Sequence, residues 1–229
     1  MNELLDDTLL PLLAAWLLLA TAALFSHQQQ LGLSKAMLWS SLRGLLQLLL
    51  LAWLLQWIFA IHTTLLQALL IAGFCLLAGH NSASHGDQSW QLWLACSTGL
   101  IAGCSVTLPW LVWSGAIDAD SRHLIPLGSM VAANGMNAIS LMLVRMQSNQ
   151  TKQHNFGEGI RAAMIPPIDT LKVVGLVHMP GIFVGMVLAG STALAAATAQ
   201  LVILYTIIAS GLTACCITLL LYNHWRKSC

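Results

Sequence analysis

The segment of residues 162–190 places charged residues, prolines and glycines within an apolar stretch. It reads AAMIPPIDTLKVVGLVHMPGIFVGMVLAG, with Asp169 and Lys172 three residues apart. At that spacing a carboxylate and an ammonium group can pair on one face of a helix. The two prolines before Asp169 are typical of a helix start, which would place the carboxylate at the positive helix N-terminus. Pro180 and Gly181 then interrupt the segment, which predicts either a structural kink or a hinge beside a substrate path.

Two further pairs of polar side chains have helical spacing inside apolar segments. Asn134 and Asn137 are three residues apart, and Arg43 and Gln47 are four residues apart. Asparagine side chains in a membrane either bind a neighbouring helix or line a polar path, and both interpretations stay open here. Arg43 either extends to the membrane interface or lines a cavity together with Gln47. All four are candidate substrate-path residues.

Metal-ligating residue types are present, but they lack the spacing of common metal sites. His178 and Met179 directly precede the interruption at Pro180 and form a candidate metal site. No two cysteines have C-x-x-C spacing, which favours small apolar packing residues over a zinc site or a disulfide framework. The cysteines are Cys75, Cys96, Cys104, Cys215, Cys216 and Cys229.

The composition indicates an integral membrane protein. Of the 229 residues, 58% are hydrophobic and only 7% are charged, whereas a soluble domain carries about 25% charged residues. A net charge of +1 gives no sign of nucleic-acid binding. No polar stretch is long enough to form a soluble catalytic domain, so we expect a protein of the lipid membrane without a soluble enzyme domain.

Seven apolar segments approach the length of about 20 residues that a membrane-spanning helix needs. They predict an all-α, polytopic membrane helix bundle that forms one transmembrane domain over residues 1–229. The acidic N-terminus lacks the positive charge and cleavage site of a secretory signal, so we expect the first segment to be retained. The segments cover residues 9–25, 37–59, 63–78, 90–113, 125–146, 168–188 and 195–222.

The basic residues predict the orientation of the chain. Of the nine Lys and Arg residues, eight divide seven to one between the two sides of the membrane, and Lys172 is left out because it lies within the sixth segment. The richer side is cytoplasmic by the positive-inside rule. The N-terminus is then outside, the C-terminus is in the cytoplasm, and the polar link at residues 147–159 is available to a soluble partner. The seven are Lys35, Arg43, Arg145, Lys152, Arg161, Arg226 and Lys227, and the single one is Arg122.

Three stretches resemble the FetB-type ABC transporter permeases. IPLGSMVAANGMNAISL and the segment of residues 162–190, with its ordered string PPIDTLKVVGLVHMPG, are similar to the two hallmark segments of that family. SLRGLLQLLLLAWLLQWIF resembles its second span. By matching positions, the resemblance assigns these family-type residues: Arg43, Gln47, Asn134, Asn137, Asp169, Lys172, Gly175, Pro180 and Gly181.

The resemblance implies a homodimeric inner-membrane permease that exports iron or another metal from the cytoplasm and serves metal homeostasis. It also implies a separate cytoplasmic ABC ATPase subunit. Plant relatives are linked to aluminium tolerance. The sequence contains no G-x-x-x-x-G-K-[ST] phosphate loop, so we expect ATP to bind the partner and no cofactor to bind this chain directly.

The chain departs from the family pattern at two places. The link between the fifth and sixth spans is shorter than in relatives, and by the resemblance FGEGIRAA is the stretch that matches what is left of the family's ATPase-contacting segment. Glu158, Gly159 and Arg161 are therefore the candidate residues of an ATPase coupling loop. His178 and Met179 stand where relatives have Ser and Leu.

Two alternative functions follow from the same residues. The shortened link is compatible with a secondary transporter or channel that works without ATP. The charges near the span interiors, Arg43 and Lys172 against Asp169, have a balance of +1 and favour an anionic cargo such as a nucleotide sugar or a metal chelate. The resemblance favours iron.

Overall fold

The structure is a computed structural model that describes residues 2–60, 63–148 and 156–227. Within these ranges the chain is helical, which confirms the predicted all-α class. Six helices are long and apolar enough to cross a membrane, namely α1 to α5 and α8. The helices are α1 (Asn2–Gln28), α2 (Ser34–Phe59), α3 (Thr64–Ala83), α4 (Trp90–Trp113), α5 (Ser121–Ser148), α6 (Phe156–Val173), α7 (Gly181–Leu188) and α8 (Ala193–Lys227).

The chain divides into two compact units, residues 1–60 and 61–229. The first unit consists of α1 and α2, which pack against each other and are joined by a short turn. Gly32 in this turn has a φ of 72°, a backbone conformation that glycine adopts without the steric cost of a Cβ atom.

Helix α4 forms the centre of the second unit and packs against α3, α5 and α8. Glycines on α4 allow α8 to approach closely. A Cβ atom at Gly103 would lie 2.8 Å from the carbonyl oxygen of Ser210, and one at Gly99 would lie 2.7 Å from that of Ala214. The sequence GLIAG thus acts as a G-x-x-x-G contact, in which van der Waals packing stabilises helices that lipid alone would not drive together.

Side-chain hydrogen bonds join the helices of the second unit. The Ser82 hydroxyl of α3 donates to the Met136 carbonyl of α5 at 3.1 Å, and the Thr218 hydroxyl of α8 donates to the Ala95 carbonyl of α4 at 3.3 Å. Hydrogen bonds of this kind stabilise membrane helix bundles by about 0.6 kcal/mol each. They supplement close packing and do not replace it.

A hydrogen bond identifies which ends of the helices lie together. The Tyr222 hydroxyl, near the end of α8, donates to the Asp87 carboxylate in the turn between α3 and α4 at 2.7 Å. Burial raises the pKa of Asp87, but hydrogen bonds from Tyr222 and Ser89 outweigh it and hold this pKa below its ordinary value. The turn and the C-terminal end of α8 therefore lie at the same end of the unit, as the predicted topology requires.

The sixth predicted span, residues 168–188, is interrupted as predicted, but the prediction that the break begins at Pro180 is wrong. Helix α6 ends at Val173, residues 174–180 form a turn, and α7 has only eight residues. Pro180 has no N–H group to continue a helix, and Gly175 has a φ of 82°. The seven predicted spans thus correspond to six continuous candidate helices and one interrupted segment, and α3 extends to Ala83 rather than to residue 78.

The predicted helix start at Pro166 and Pro167 is also wrong. Both prolines lie inside α6, which begins at Phe156. Helix α6 packs against α5 and α8 and buries Met164, and such tertiary contacts hold a helix together across proline residues. Asp169 therefore lies near the negative C-terminal end of α6, not near its positive N-terminus.

Part of the predicted polar link lies outside the described residues. Residues 149–155 of the link, which include Lys152, are not among the described residues. The same is true of Cys229 at the C-terminus.

Candidate functional site

Helices α5, α6 and α8 enclose a cleft of about 240 Å³. It brings Asn134 and Asn137 of α5 together with the two prolines of α6, so the structure joins residues from both hallmark segments. The lining residues are Asn134, Asn137, Ala138, Leu141, Ala163, Met164, Pro166, Pro167, Thr170, Leu204, Ile207 and Gly211.

The polar side chains that line this cleft are Asn134, Asn137 and Thr170. The Asn134 amide nitrogen donates to the Met130 carbonyl at 2.9 Å, which leaves its amide oxygen for other partners. Since proline has no N–H group, Pro166 and Pro167 remove the α-helical donors of the carbonyls at Ala162 and Ala163. Of these two alanines, Ala163 lines the cleft.

Asp169 and Lys172 form the expected ion pair, but outside the cleft. The Lys172 Nζ atom lies 2.8 Å from the Asp169 Oδ1 atom, and both side chains are more than half exposed. An exposed pair of this type contributes at most about 1 kcal/mol to stability. The pair neutralises both charges near the C-terminal end of α6 and lies on a different part of that helix from Glu158.

The turn between α6 and α7 is shaped by Gly175 and Pro180. The Gly175 N–H donates to the His178 carbonyl at 2.9 Å, and the His178 N–H donates to the Val173 carbonyl at 3.2 Å. Pro180 is buried and occupies the N-cap position of α7. Gly181 opens α7, and a Cβ atom there would meet open space.

The candidate metal ligands His178 and Met179 lie in this turn, and both are exposed. Among the described residues, no group of three or more His, Cys, Asp or Glu side chains is placed to hold a metal ion. The assignment of His178 and Met179 as ligands stays a prediction.

The candidate coupling residues lie in the first turns of α6, and their assignment to an ATPase contact stays a prediction. Glu158 lies in the first turn of α6, where an acidic residue complements the helix dipole and favours helix formation. Glu158 and Arg161 are exposed, whereas Gly159 is buried. A Cβ atom at Gly159 would lie 3.0 Å from the Met146 side chain of α5, so this glycine lets α6 approach α5 closely.

Arg43 and Gln47 lie on α2 of the first unit. Both are exposed, and their spacing of four residues places them on one face of that helix. The cleft itself is formed entirely by helices of the second unit.

Among the lining residues, sequence reasoning identified only Asn134 and Asn137 as path residues, and Thr170 and Gly211 are two of those that it missed. Thr170 follows Pro166 by four residues and so shares its helix face, which is a signal that the sequence contains. Its hydroxyl donates to the Pro166 carbonyl at 2.9 Å. Gly211 is a single small residue in a long apolar helix, and only the packing of α8 against α5 and α6 reveals its position.

The sequence is similar to several known membrane proteins. It is 28% identical to the probable iron export permease protein FetB of Escherichia coli strain K12, over 89% of this chain and 88% of that protein. It is 26% identical to the UPF0014 membrane protein STAR2 of Oryza sativa subsp. japonica, over 89% of this chain and 78% of that protein. It is 24% identical to the protein ALUMINUM SENSITIVE 3 of Arabidopsis thaliana, over 83% of this chain and 77% of that protein. No solved structure matches the chain.

The pattern of an uncharacterised protein family, UPF0014, matches residues 9–158 and 148–225. The two matched stretches together span most of the chain, and they overlap at the link between α5 and α6. The match to the family pattern is therefore divided at this link. The sequence analysis identified the same link as the place where the chain is shorter than the FetB-type pattern. The similarities confirm the family resemblance, and the chain belongs to the UPF0014 family of membrane proteins.

Proposed function

We propose that the chain is the membrane subunit of an ABC transporter that exports iron or another metal cation from the cytoplasm across the inner membrane. The observation that carries this proposal is the cleft between α5, α6 and α8, which joins Asn134 and Asn137 to the two prolines of α6. The similarity to a protein named as a probable iron export permease supports the cargo and the direction.

The cleft suits a cation better than an anion. Its lining includes Asn134, Asn137 and Thr170, whose side chains each carry an oxygen, and Ala163, whose carbonyl loses its helical donor to Pro167. Oxygen atoms are the ligands of hard cations. Lys172 had favoured an anion, but it is paired with Asp169 and lies outside the cleft. Its charge is therefore not available to an anionic cargo there.

The absence of a carboxylate from the described lining residues also fits transport. Neutral oxygens bind a divalent ion less tightly than carboxylates do, so the ion keeps part of its water shell. A path for ions must bind them strongly enough to admit them and weakly enough to release them. We therefore assign the cleft to passage of a partly hydrated cation rather than to its storage.

Helix α6 is suited to carry motion from a cytoplasmic partner to the cleft. Glu158 and Pro166 are eight residues apart on one continuous helix, or about 12 Å along its axis. An ATPase that binds the exposed face at Glu158 and Arg161 would therefore displace the cleft wall directly. The turn at Gly175 would let α6 move without displacing α8 by the same amount.

Helix α6 also supplies the sixth crossing in this proposal. Its 18 residues span about 27 Å, close to the hydrocarbon thickness of about 30 Å. Its four charged residues lie towards its two ends, with Glu158 and Arg161 at one and Asp169 and Lys172 at the other. The N-terminus is then outside and the C-terminus is cytoplasmic. Two copies of the chain would bind two ATPase subunits.

The test is transport of ferrous iron into inside-out vesicles of the native membrane. We expect uptake that requires hydrolysable ATP and that is lost when this chain is deleted. Uptake that continues without ATP and stops with a proton uncoupler would identify a secondary transporter, which the short link between α5 and α6 would favour. Uptake of an anionic chelate but not of the free ion would refute the cation assignment.

The cleft is tested in the same vesicles with matched asparagine variants. Asn137→Leu removes one oxygen from the cleft, and Asn81→Leu removes an asparagine that does not line it. Loss of one neutral polar contact costs about 1 kcal/mol, which corresponds to roughly fivefold weaker iron binding. Equal transport by Asn137→Leu and Asn81→Leu would contradict the role of the cleft.

A further inference from the structure

A second cavity lies between α3, α4 and the start of α5. Its volume is about 530 Å³, and most of its wall is apolar. The lining includes Thr64 at the start of α3, Trp113 at the end of α4 and Leu124 in the first turn of α5. These residues place the cavity towards the end of the unit that is opposite the Asp87–Tyr222 hydrogen bond.

Two buried thiols meet at the wall of this cavity. The Sγ atoms of Cys75 on α3 and Cys104 on α4 are 3.7 Å apart. Cys75 is completely buried, Cys104 is 5% exposed, and both line the cavity. Because they belong to different helices and are 29 residues apart, only the packing of α3 on α4 brings them together.

The distance between the two sulfur atoms fits a tetrahedral metal ion. Two thiolates bound to one such ion at about 2.3 Å lie about 3.8 Å apart, which is close to the observed 3.7 Å. Two thiolates also neutralise a divalent ion, which matters in an apolar interior where net charge is costly. A monovalent ion would leave the site with one negative charge.

The cavity leaves room for the remaining ligands. Cys75 and Cys104 supply two of four positions, and water molecules that enter with the ion, beside the polar lining residues Gln67 and Ser105, would supply the others. Pro109 lies inside α4 and lines the same cavity. It removes the helical donor of the Ser105 carbonyl, which leaves a polar oxygen one residue from Cys104.

From this geometry we propose that Cys75 and Cys104 form a binding site for a thiophilic divalent metal ion of the zinc class. Binding replaces two S–H bonds by two metal–sulfur bonds and releases two protons, so no oxidant or reductant is needed. The ion enters from the 530 Å³ cavity. The site is separate from the cleft between α5, α6 and α8 and does not depend on the transport proposed for that cleft.

The test uses Cd²⁺ as the probe and the full-length protein, reduced and solubilised in mild detergent. We expect one Cd²⁺ per chain and an ultraviolet thiolate-to-cadmium absorption band. Since two protons are released, binding tightens about 100-fold per pH unit while both thiols are protonated. Cys75→Ser and Cys104→Ser should each remove the band.

A matched control variant separates this site from general thiol reactivity. Cys96 is completely buried on the same helix as Cys104, and Cys96→Ser should retain both the band and the stoichiometry. Cys75→Ala serves as a second variant at the site, and thermal unfolding checks that each variant is folded. No band in the wild type, a band that persists in the Cys75→Ser/Cys104→Ser double variant, or equal loss in Cys96→Ser would overturn the proposal.

Discussion

Alanine substitution at two glycines, one before α7 and one inside it, should change the free energy of unfolding in opposite directions. Gly175 has a φ of 82° in the turn before α7, whereas Gly185 lies inside α7 with ordinary helical geometry. A Cβ atom would meet open space at both positions. Steric clash with neighbours therefore cannot distinguish them, and only the backbone conformation does.

The expected changes follow from the cost of each conformation. An alanine in the left-handed region costs roughly 1–2 kcal/mol, so Gly175→Ala should lower the free energy of unfolding by about that amount. Alanine inside a helix is favoured over glycine by roughly 0.5–1 kcal/mol, so Gly185→Ala should raise it. The two variants should differ by roughly 1.5–3 kcal/mol in total.

The measurement is unfolding of the full-length protein by titration of a mild-detergent solution with a denaturing detergent, followed by tryptophan fluorescence. Limited proteolysis of the turn at residues 174–180 gives a local readout and should be faster in Gly175→Ala. Gly190→Ala should also lower the free energy of unfolding, since Gly190 has a φ of 94°. Shifts of the same sign for Gly175→Ala and Gly185→Ala would refute the conformational argument.

Three other contacts give further predictions. Gly103→Leu should lower the free energy of unfolding by about 1–3 kcal/mol, because it overpacks the α4–α8 contact. Gly73→Leu should leave it nearly unchanged in the same detergent unfolding titration, because a Cβ atom at Gly73 meets open space. Burial raises the pKa of Asp87, but the hydrogen bonds that its carboxylate accepts from Tyr222 and Ser89 outweigh burial and lower this pKa. The stability from this carboxylate is therefore present above its ordinary pKa and lost as the pH falls through the lower folded value, and unfolding measured against pH should show a smaller acid loss in Tyr222→Phe. Lys172→Ala should change the free energy of unfolding by less than about 1 kcal/mol, because its ion pair is exposed, so a large loss of iron uptake would indicate a direct role in transport.

Composition and hydrophobic length were sufficient to predict the fold class. The apolar segments fixed five of the helices to within a few residues at most ends, because a spanning helix must satisfy its backbone internally and stay apolar along its length. They did not predict which helices pack together. The GLIAG sequence of Gly99–Gly103 was a readable signal of close packing, but it did not identify α8 as the partner.

Contacts between distant positions could not be predicted from spacing. Cys75 and Cys104 have no motif that links them, and their meeting depends on the rotation of α3 against α4. The pair of Asn134 and Asn137 was predictable as one polar face of α5. That this face meets α6, rather than lipid or α3, depends on the packing of α6 against α5 at Gly159.

The two prolines of α6 explain both the main error and the main feature of the candidate site. A Pro-Pro step is more common at a helix start than in its interior, and this preference shifted the predicted helix towards its C-terminus. Contacts of α6 with α5 and α8 override that preference, because the helix is held by its neighbours. The interior position of Pro166 and Pro167 then leaves two backbone carbonyls without helical donors. A proline pair at a helix start would have left no such oxygens, so the feature that misled the boundary prediction is the one that makes the cleft suitable for a cation.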